Sequence, residues 1–203
     1  MQMLSNIRLT LGLGATLALL GIAGCSVPKA PDSLCFVVRE LQGRARCFPE
    51  GSTNAQALKV GDKLHAGQLV QTSADGRNLD IALRRSILMR FAPDSAIRII
   101  QASSGSGRVG DSAKVELLAG RTHVKVGRSA ACEIGFPNGV VRICDGMMGL
   151  DDRGCVKVWQ GSASVMLAGQ SQPTVVPQGY VFYSASGEIH SLAELLNWSD
   201  SYQ

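Results

Sequence analysis

Aromatic side chains make up only 5% of this chain and charged ones only 18%. With no lysine or arginine cluster along any face, that scarcity disfavours nucleic-acid binding, which needs dense phosphate neutralisation and stacking platforms. The chain also lacks the spacings that carry common chemistry. Its three histidines, His65, His123 and His190, stand far apart with no partner at i+3 or i+4, so no zinc pattern is present. There is no Gly-x-Ser-x-Gly elbow and no local Cys–His nucleophile pair. Asp151-Asp152 has turn-forming glycines nearby but none of the alternating oxygens and later glutamate of a calcium loop. Gly105-Ser106-Gly107-Arg108-Val109-Gly110 matches a dinucleotide fingerprint by letter. That fingerprint needs a helix after the loop, whereas Ala113-Lys114-Val115-Glu116-Leu117 reads as a strand. The expectation is a non-enzyme with no catalytic residue, no metal site and no cofactor.

No long apolar run exists either. Residues 9–22 carry no charge, but 14 residues fall short of the roughly 20 that a spanning helix needs. They have the length of a signal-peptide core. The run leads into Leu20-Gly21-Ile22-Ala23-Gly24-Cys25, which resembles a bacterial lipobox. That resemblance implies cleavage before Cys25 and acylation (palmitate included) of its thiol and new amino group, giving near-irreversible anchoring. Ser26 after the cysteine implies the outer membrane, with the protein facing the periplasm. An ordinary secretory peptide or an uncleaved anchor is the competing reading. The expected division is a signal peptide over 1–24, a lipidated tether over 25–34 and a β-domain over 35–185. A C-terminal helix and tail would follow over 186–203. Removing 1–24 takes away Arg8 and no acid, so the mature chain is mildly basic, against +4 for the whole chain.

Beyond Cys25, five cysteines remain: Cys35, Cys47, Cys132, Cys144 and Cys155. In an oxidising compartment disulfides are the first question, and an odd number leaves at least one thiol over. Cys35 and Cys47 flank Leu41-Gln42-Gly43, and a hairpin there would set them opposite each other; two buried free thiols are the alternative. Cys132 pairs with Cys144 if Pro137-Asn138-Gly139 is the turn, and Cys144 with Cys155 if the turn is Met147-Met148-Gly149. Cys144, Met147, Met148 and Cys155 also form a soft-sulfur set suited to monovalent copper, against a disulfide plus core methionines.

Period two dominates the remainder. Thr122-His123-Val124-Lys125-Val126 and Val156-Lys157-Val158-Trp159 alternate polar and apolar residues, as do Leu79-Asp80-Ile81 and Ala96-Ile97-Arg98-Ile99. Such alternation buries one face and wets the other, and it sets His123 toward solvent. Turn signals recur every 6–12 residues. Together they predict an all-β domain of many short, mainly antiparallel strands, as sandwich, barrel or solenoid. An apolar-x-Gly pattern recurs at Leu41-Gln42-Gly43, Leu118-Ala119-Gly120 and Trp159-Gln160-Gly161, and reads as a reused turn or bulge. Only Ser191 to Trp198 reads as a helix, with Ser191 as N-cap and Glu194 at capping-box spacing.

Several segments resemble, in order, the FecR domain of bacterial envelope signalling proteins. They are Leu58 to Leu64 with Ala66 to Thr72, then Pro93 to Ile99, then Val115 to Arg121 with Val124-Lys125-Val126. Phe136 to Arg142 and Val158 to Val165 complete the match, over roughly residues 36–184. Arg142-Ile143-Cys144 departs from the family's Arg-Gly-Thr, and a lipobox stands where the family's regulators carry a transmembrane helix. The resemblance implies a β-rich extracytoplasmic module that binds a partner. The leading expectation is thus a lipid-anchored, non-catalytic binding module that docks an envelope protein or glycan, with signalling as a narrower version. The alternative is a thiol-redox or copper-handling lipoprotein using Cys132, Cys144 and Cys155.

Overall fold

The computed structural model describes residues 34–104 and 110–195. The chain divides into two units, 1–31 and 32–203, and every described residue lies in the second. The signal peptide, Cys25 and all of the tether except Leu34 lie outside the described residues.

Short strands follow one another as the alternation demands: β1 (Phe36–Gln42), β2 (Ala45–Phe48), β3 (Gln56–Ala57), β4 (Lys63–Leu64), β5 (Leu69–Thr72), β6 (Asn78–Leu83), β7 (Ile87–Phe91), β8 (Ala96–Ser103) and β9 (Ser112–Ala119). Two long strands come next, β10 (Arg121–Phe136) and β11 (Gly139–Asp151), and then β12 (Cys155–Gln160), β13 (Ser162–Leu167), β14 (Thr174–Pro177), β15 (Tyr180–Tyr183) and β16 (Glu188–Ser191). The fold is all-β and mainly antiparallel.

The strands form one continuous sheet that bends into two wings. The first wing runs β4, β1, β6, β7, the first half of β10, the second half of β11, β12, β15 and β16. The second runs β3, β2, β5, β8, β9, the second half of β10, the first half of β11, β13 and β14. The β10–β11 hairpin therefore passes through both wings, and its register shifts between Val126 and Ala131 where it bends. Among the described pairs, β9 with β10 is parallel; the chain reaches that pairing only after crossing the other wing, the long connection that parallel neighbours require. Both wings turn their alternate apolar residues into a single core, with Phe36, Met89 and Phe91 from one and Ile97, Leu117 and Ile134 from the other.

The recurring apolar-x-Gly pattern sits where the chain changes wings. Gly43, Gly120 and Gly161 have φ of +109°, +80° and +76°, and they join β1 to β2, β9 to β10 and β12 to β13. Gly120 shows why the residue must be glycine. Its φ disfavours any side chain, and a Cβ there would lie 2.7 Å from Ser95 Cα and 2.8 Å from the Asp94 carbonyl oxygen. The corner is bonded as tightly as it is packed. The Arg121 amide donates to Ser95 Oγ at 3.1 Å, Ser95 N donates to Thr72 Oγ1 at 2.8 Å, and Gly120 N donates to Asp152 Oδ2 at 2.9 Å.

Two local expectations are corrected. Residues 188–191 form β16 within the sheet, not part of a helix and tail. Among the described residues the helix is α1 (Leu192–Leu195), begun by the Ala193 amide donating to Ser191 Oγ at 3.2 Å; Leu196 to Gln203 lie outside the described residues. Met147-Met148-Gly149 is the interior of β11 and not a turn, because Val124 and Lys125 hold Met148 and Met147 in ladder register.

Candidate interaction surface

The outer face of the first wing follows from parity. Thr122, Val124 and Val126 point into the core, so Arg121, His123 and Lys125 point out. On neighbouring strands the register sets Arg90 and Gly149 beside His123, and Lys157 beyond Gly149. The next row aligns Leu88, Lys125 and Met147. Trp159 belongs to neither row by simple pairing. Met147 pairs with Gln160 while Met148 pairs with Val158, so Trp159 is the extra residue of a bulge on β12, a device that re-aims a side chain.

The bulge lays the indole over Gly149. A Cβ on Gly149 would stand 2.7 Å from Trp159 Cη2 and 3.1 Å from Cζ3, so the missing side chain is what lets the ring lie flat there. The His123 ring packs against it with centroids 5.0 Å apart, tilted by 53°. Trp159, Met147 and Leu88 keep 36%, 36% and 38% of their surface open. These three exposed apolar residues are grouped about Lys125, which has no ion-pair partner among the described residues. Burial against the indole, then the charges of Arg121, Arg90 and Lys157, hold His123 below the ordinary histidine pKa. At the margin Arg90 is anchored by Asp80, Nε to Oδ1 at 2.8 Å and Nη2 to Oδ2 at 2.7 Å, with Glu40 at 3.8 Å. That pairing raises the Arg90 pKa.

The second wing's outer face is different. Arg98 pairs with Glu116 at 3.0 Å and Lys114 with Glu133 at 2.7 Å. Gln101, Ser112, Lys114, Glu133 and Arg142 line a shallow open hollow of about 330 Å³. Its exposed apolar residues, Ile100, Leu118 and Val175, lie on three different strands, β8, β9 and β14.

The cysteines do not assemble into a site. Cys35, Cys47, Cys132, Cys144 and Cys155 are all free thiols. The expected hairpin between Cys35 and Cys47 does not form: β1 pairs with β4 and β6, β2 with β3 and β5, because the Gly43 corner sends the two strands into different wings. The β10–β11 hairpin does place Cys132 and Cys144 on adjacent levels, but Cys132 faces the core and Cys144 faces solvent. Cys155 lies level with Asp151, roughly 20 Å along β11 from Cys144 at about 3.3 Å per residue. Met148 is core and Met147 is surface, so the soft-sulfur set is dispersed. Burial pushes the Cys132 thiol up to about 12; burial with Asp151 nearby takes Cys155 to about 11, and burial also raises Cys47. Thiolate chemistry is correspondingly suppressed at those three positions.

Among the described residues no group of three or more histidine, cysteine or acidic side chains is arranged to hold a metal. The Asp151 and Asp152 carboxylates are committed to backbone. Asp151 Oδ1 accepts from Arg153 N at 3.1 Å and Cys155 N at 2.8 Å, which closes the β11–β12 turn. Residues 105–109, most of the dinucleotide-like loop, lie outside the described residues. His123 faces outward as its alternation with Val124 predicts. Trp159 as a surface anchor is the residue that sequence reasoning passed over, although its parity with Lys157, opposite to Val156 and Val158, was readable.

No protein-family model matches the chain, and no curated protein matches it. Two solved structures from Parabacteroides distasonis, each described as a candidate anti-sigma factor, show partial structural similarity. One is 14% identical with a TM-score of 0.45 over 63% of this chain and 63% of its own. The other is 12% identical with a TM-score of 0.46 over 66% of this chain and 65% of its own. The matched part spans less than two thirds of either neighbour's length.

Proposed function

We propose that this protein is a lipid-anchored, non-catalytic binding module of the bacterial envelope, FecR-like in kind, that engages a partner through the outer face of its first wing. Trp159 seated on Gly149, with Leu88 and Met147 around Lys125, is the observation that carries the binding reading. Solvent-facing tryptophan and methionine are residue types that protein interfaces concentrate. The anchor rests on the uncharged run at 9–22 and the small residues leading to Cys25. It places the domain in the periplasm at the outer membrane, and any signalling would pass through the partner that this face docks.

Two measurements test the two halves. Mass spectrometry of the mature chain should find an acylated N-terminal Cys25, and Cys25→Ser should leave the membrane fraction; an unmodified N-terminus removes the anchor. A photo-cross-linking side chain at Leu88, introduced in living cells, should trap a discrete partner that the same group at Val175 does not. Cross-links from Val175 and none from Leu88 would move the binding surface to the other wing.

A further inference from the structure

The exposed trio and its lysine also say what kind of surface should cover them. Resting on the binding-module reading above, we infer that the partner is a protein presenting acidic side chains interleaved with apolar ones, seated on Leu88, Lys125, Met147, His123 and Trp159. Two observations on this face converge on that chemistry.

Charge comes first. Lys125 stands between Leu88 and Met147 with no carboxylate partner among the described residues, while Arg90 beside it is already satisfied by Asp80. Burial first, and then Arg121, Arg90 and Lys157, hold His123 toward its neutral form, so three cations lie near this face. An incoming carboxylate meets an uncompensated cation at Lys125, and electrostatic complementarity of this sort sets specificity and encounter rate. On the second wing Arg98 and Lys114 are met by Glu116 and Glu133, so those two cations are already compensated.

Apolar geometry separates a protein from the other anionic surfaces of an envelope. Leu88 and Met147 flank the lysine on adjacent strands, an arrangement that a glycan hydroxyl or phosphate has no use for. The trio is just over one-third exposed at each position, so most of each side chain is packed against the protein. A membrane-inserting face presents protruding apolar residues that reach several ångströms below the headgroups. A flat face with a central aromatic anchor suits a rigid protein surface, where such anchors dominate the binding energy.

The test uses the full chain in neutral phosphatidylcholine nanodiscs. A Trp198→Phe background leaves Trp159 as the single indole. The probes are three twelve-residue peptides, alternating Glu-Leu, Glu-Ser and Lys-Leu. The Glu-Leu peptide should shift Trp159 emission saturably, and Lys125→Glu or Leu88→Ser should each weaken it about tenfold or more. Equal binding of Glu-Ser reduces the face to charge alone, and equal binding of Lys-Leu reduces it to greasiness alone; either overturns the inference. The same emission shift in phosphatidylglycerol nanodiscs without peptide assigns the face to lipid and also overturns it. No response to any peptide, with a partner still trapped from Leu88, ends this inference and leaves the binding-module reading standing.

Discussion

The two wings share a core, a hairpin and a row of corners, yet their outer faces are built on opposite principles. On the second wing two ion pairs cross the strands, Lys114 to Glu133 and Arg98 to Glu116, and the exposed apolar side chains are scattered. On the first, one cation–carboxylate cluster at Arg90 closes the margin, and beyond it the register groups an indole, a leucine, a methionine and a lysine without a described ion pair. A self-satisfied surface gains little by being covered. A surface with unmatched charge and grouped apolar area gains by it. The difference teaches that the same two-residue period builds a solvent face or a docking face, depending on which residues the register brings side by side.

The most drastic way to break the comparison is to remove what holds the wings together. Gly120→Val sets a β-branched side chain at φ +80° against Ser95 Cα and the Asp94 carbonyl. The expected loss is about 3 kcal/mol or more, from backbone strain and overpacking combined. Urea unfolding followed at Trp159 and at a label on Lys114 should shift together. A transition that moved at one probe only would show that the wings unfold separately.

Next in size is the contrast between the two charge clusters. Asp80 is 4% exposed and accepts two bonds from Arg90, so Asp80→Ala should cost about 1–3 kcal/mol. Lys114→Ala removes an ion pair whose side chains are 50% and 35% exposed. It should cost below about 1 kcal/mol, and less in high salt. Equal costs would erase the distinction between an anchored margin and a solvated ladder.

Gly149→Ala tests the seat of the indole. Its Cβ would meet a side chain, Trp159 Cη2 at 2.7 Å, where the Gly120 substitution meets backbone. The ring can move aside, so stability should change by only about 1 kcal/mol. Trp159 emission should shift to the red and Glu-Leu peptide binding should fall. Unchanged emission would mean that the bulge alone holds the ring.

The smallest effect is a titration. His123 has a folded pKa below its ordinary value because of burial and three neighbouring cations. Protonation therefore favours the unfolded chain. The contribution of this group to stability is complete above about pH 6.5 and is lost as pH falls through the lower folded value. Following the imidazole by NMR should show its pKa rising toward the ordinary value in Trp159→Ala and in Lys157→Ala. Neither variant moving it would dissociate His123 from the potential of this face.

Much of this was legible in the order of residues. The all-β class came from alternation in segments such as Thr122 to Val126, which needs only local parity to be read. The three apolar-x-Gly sites were recognisable as a reused turn or bulge, and all three have positive φ. What failed was neighbourhood. Gly43 looked like the tip of a hairpin joining Cys35 to Cys47, because a glycine between two alternating runs signals a reversal as readily as a change of sheet. Met147-Met148-Gly149 looked like a turn because nothing local says that β10 extends far enough to pair with it. Glu188 to Ser191, expected to lie beyond the β-domain, instead form a strand paired with β15, because nothing local shows that β15 leaves an edge to pair with.

Residue order by itself determined the class of fold, the inward and outward parity of nearly every strand, and the corner positions where only glycine fits. Those depend on the two-residue pleat and on backbone sterics, which act over a few residues. Tertiary structure alone decided which outward residues meet. The pairing of β7, β10, β11 and β12 draws Leu88, Lys125, Met147 and Trp159 from four separate stretches of chain, and a bulge on β12 turns the indole onto Gly149. Register between distant strands is set by burying both wings against one core, a collective energy that no short segment carries.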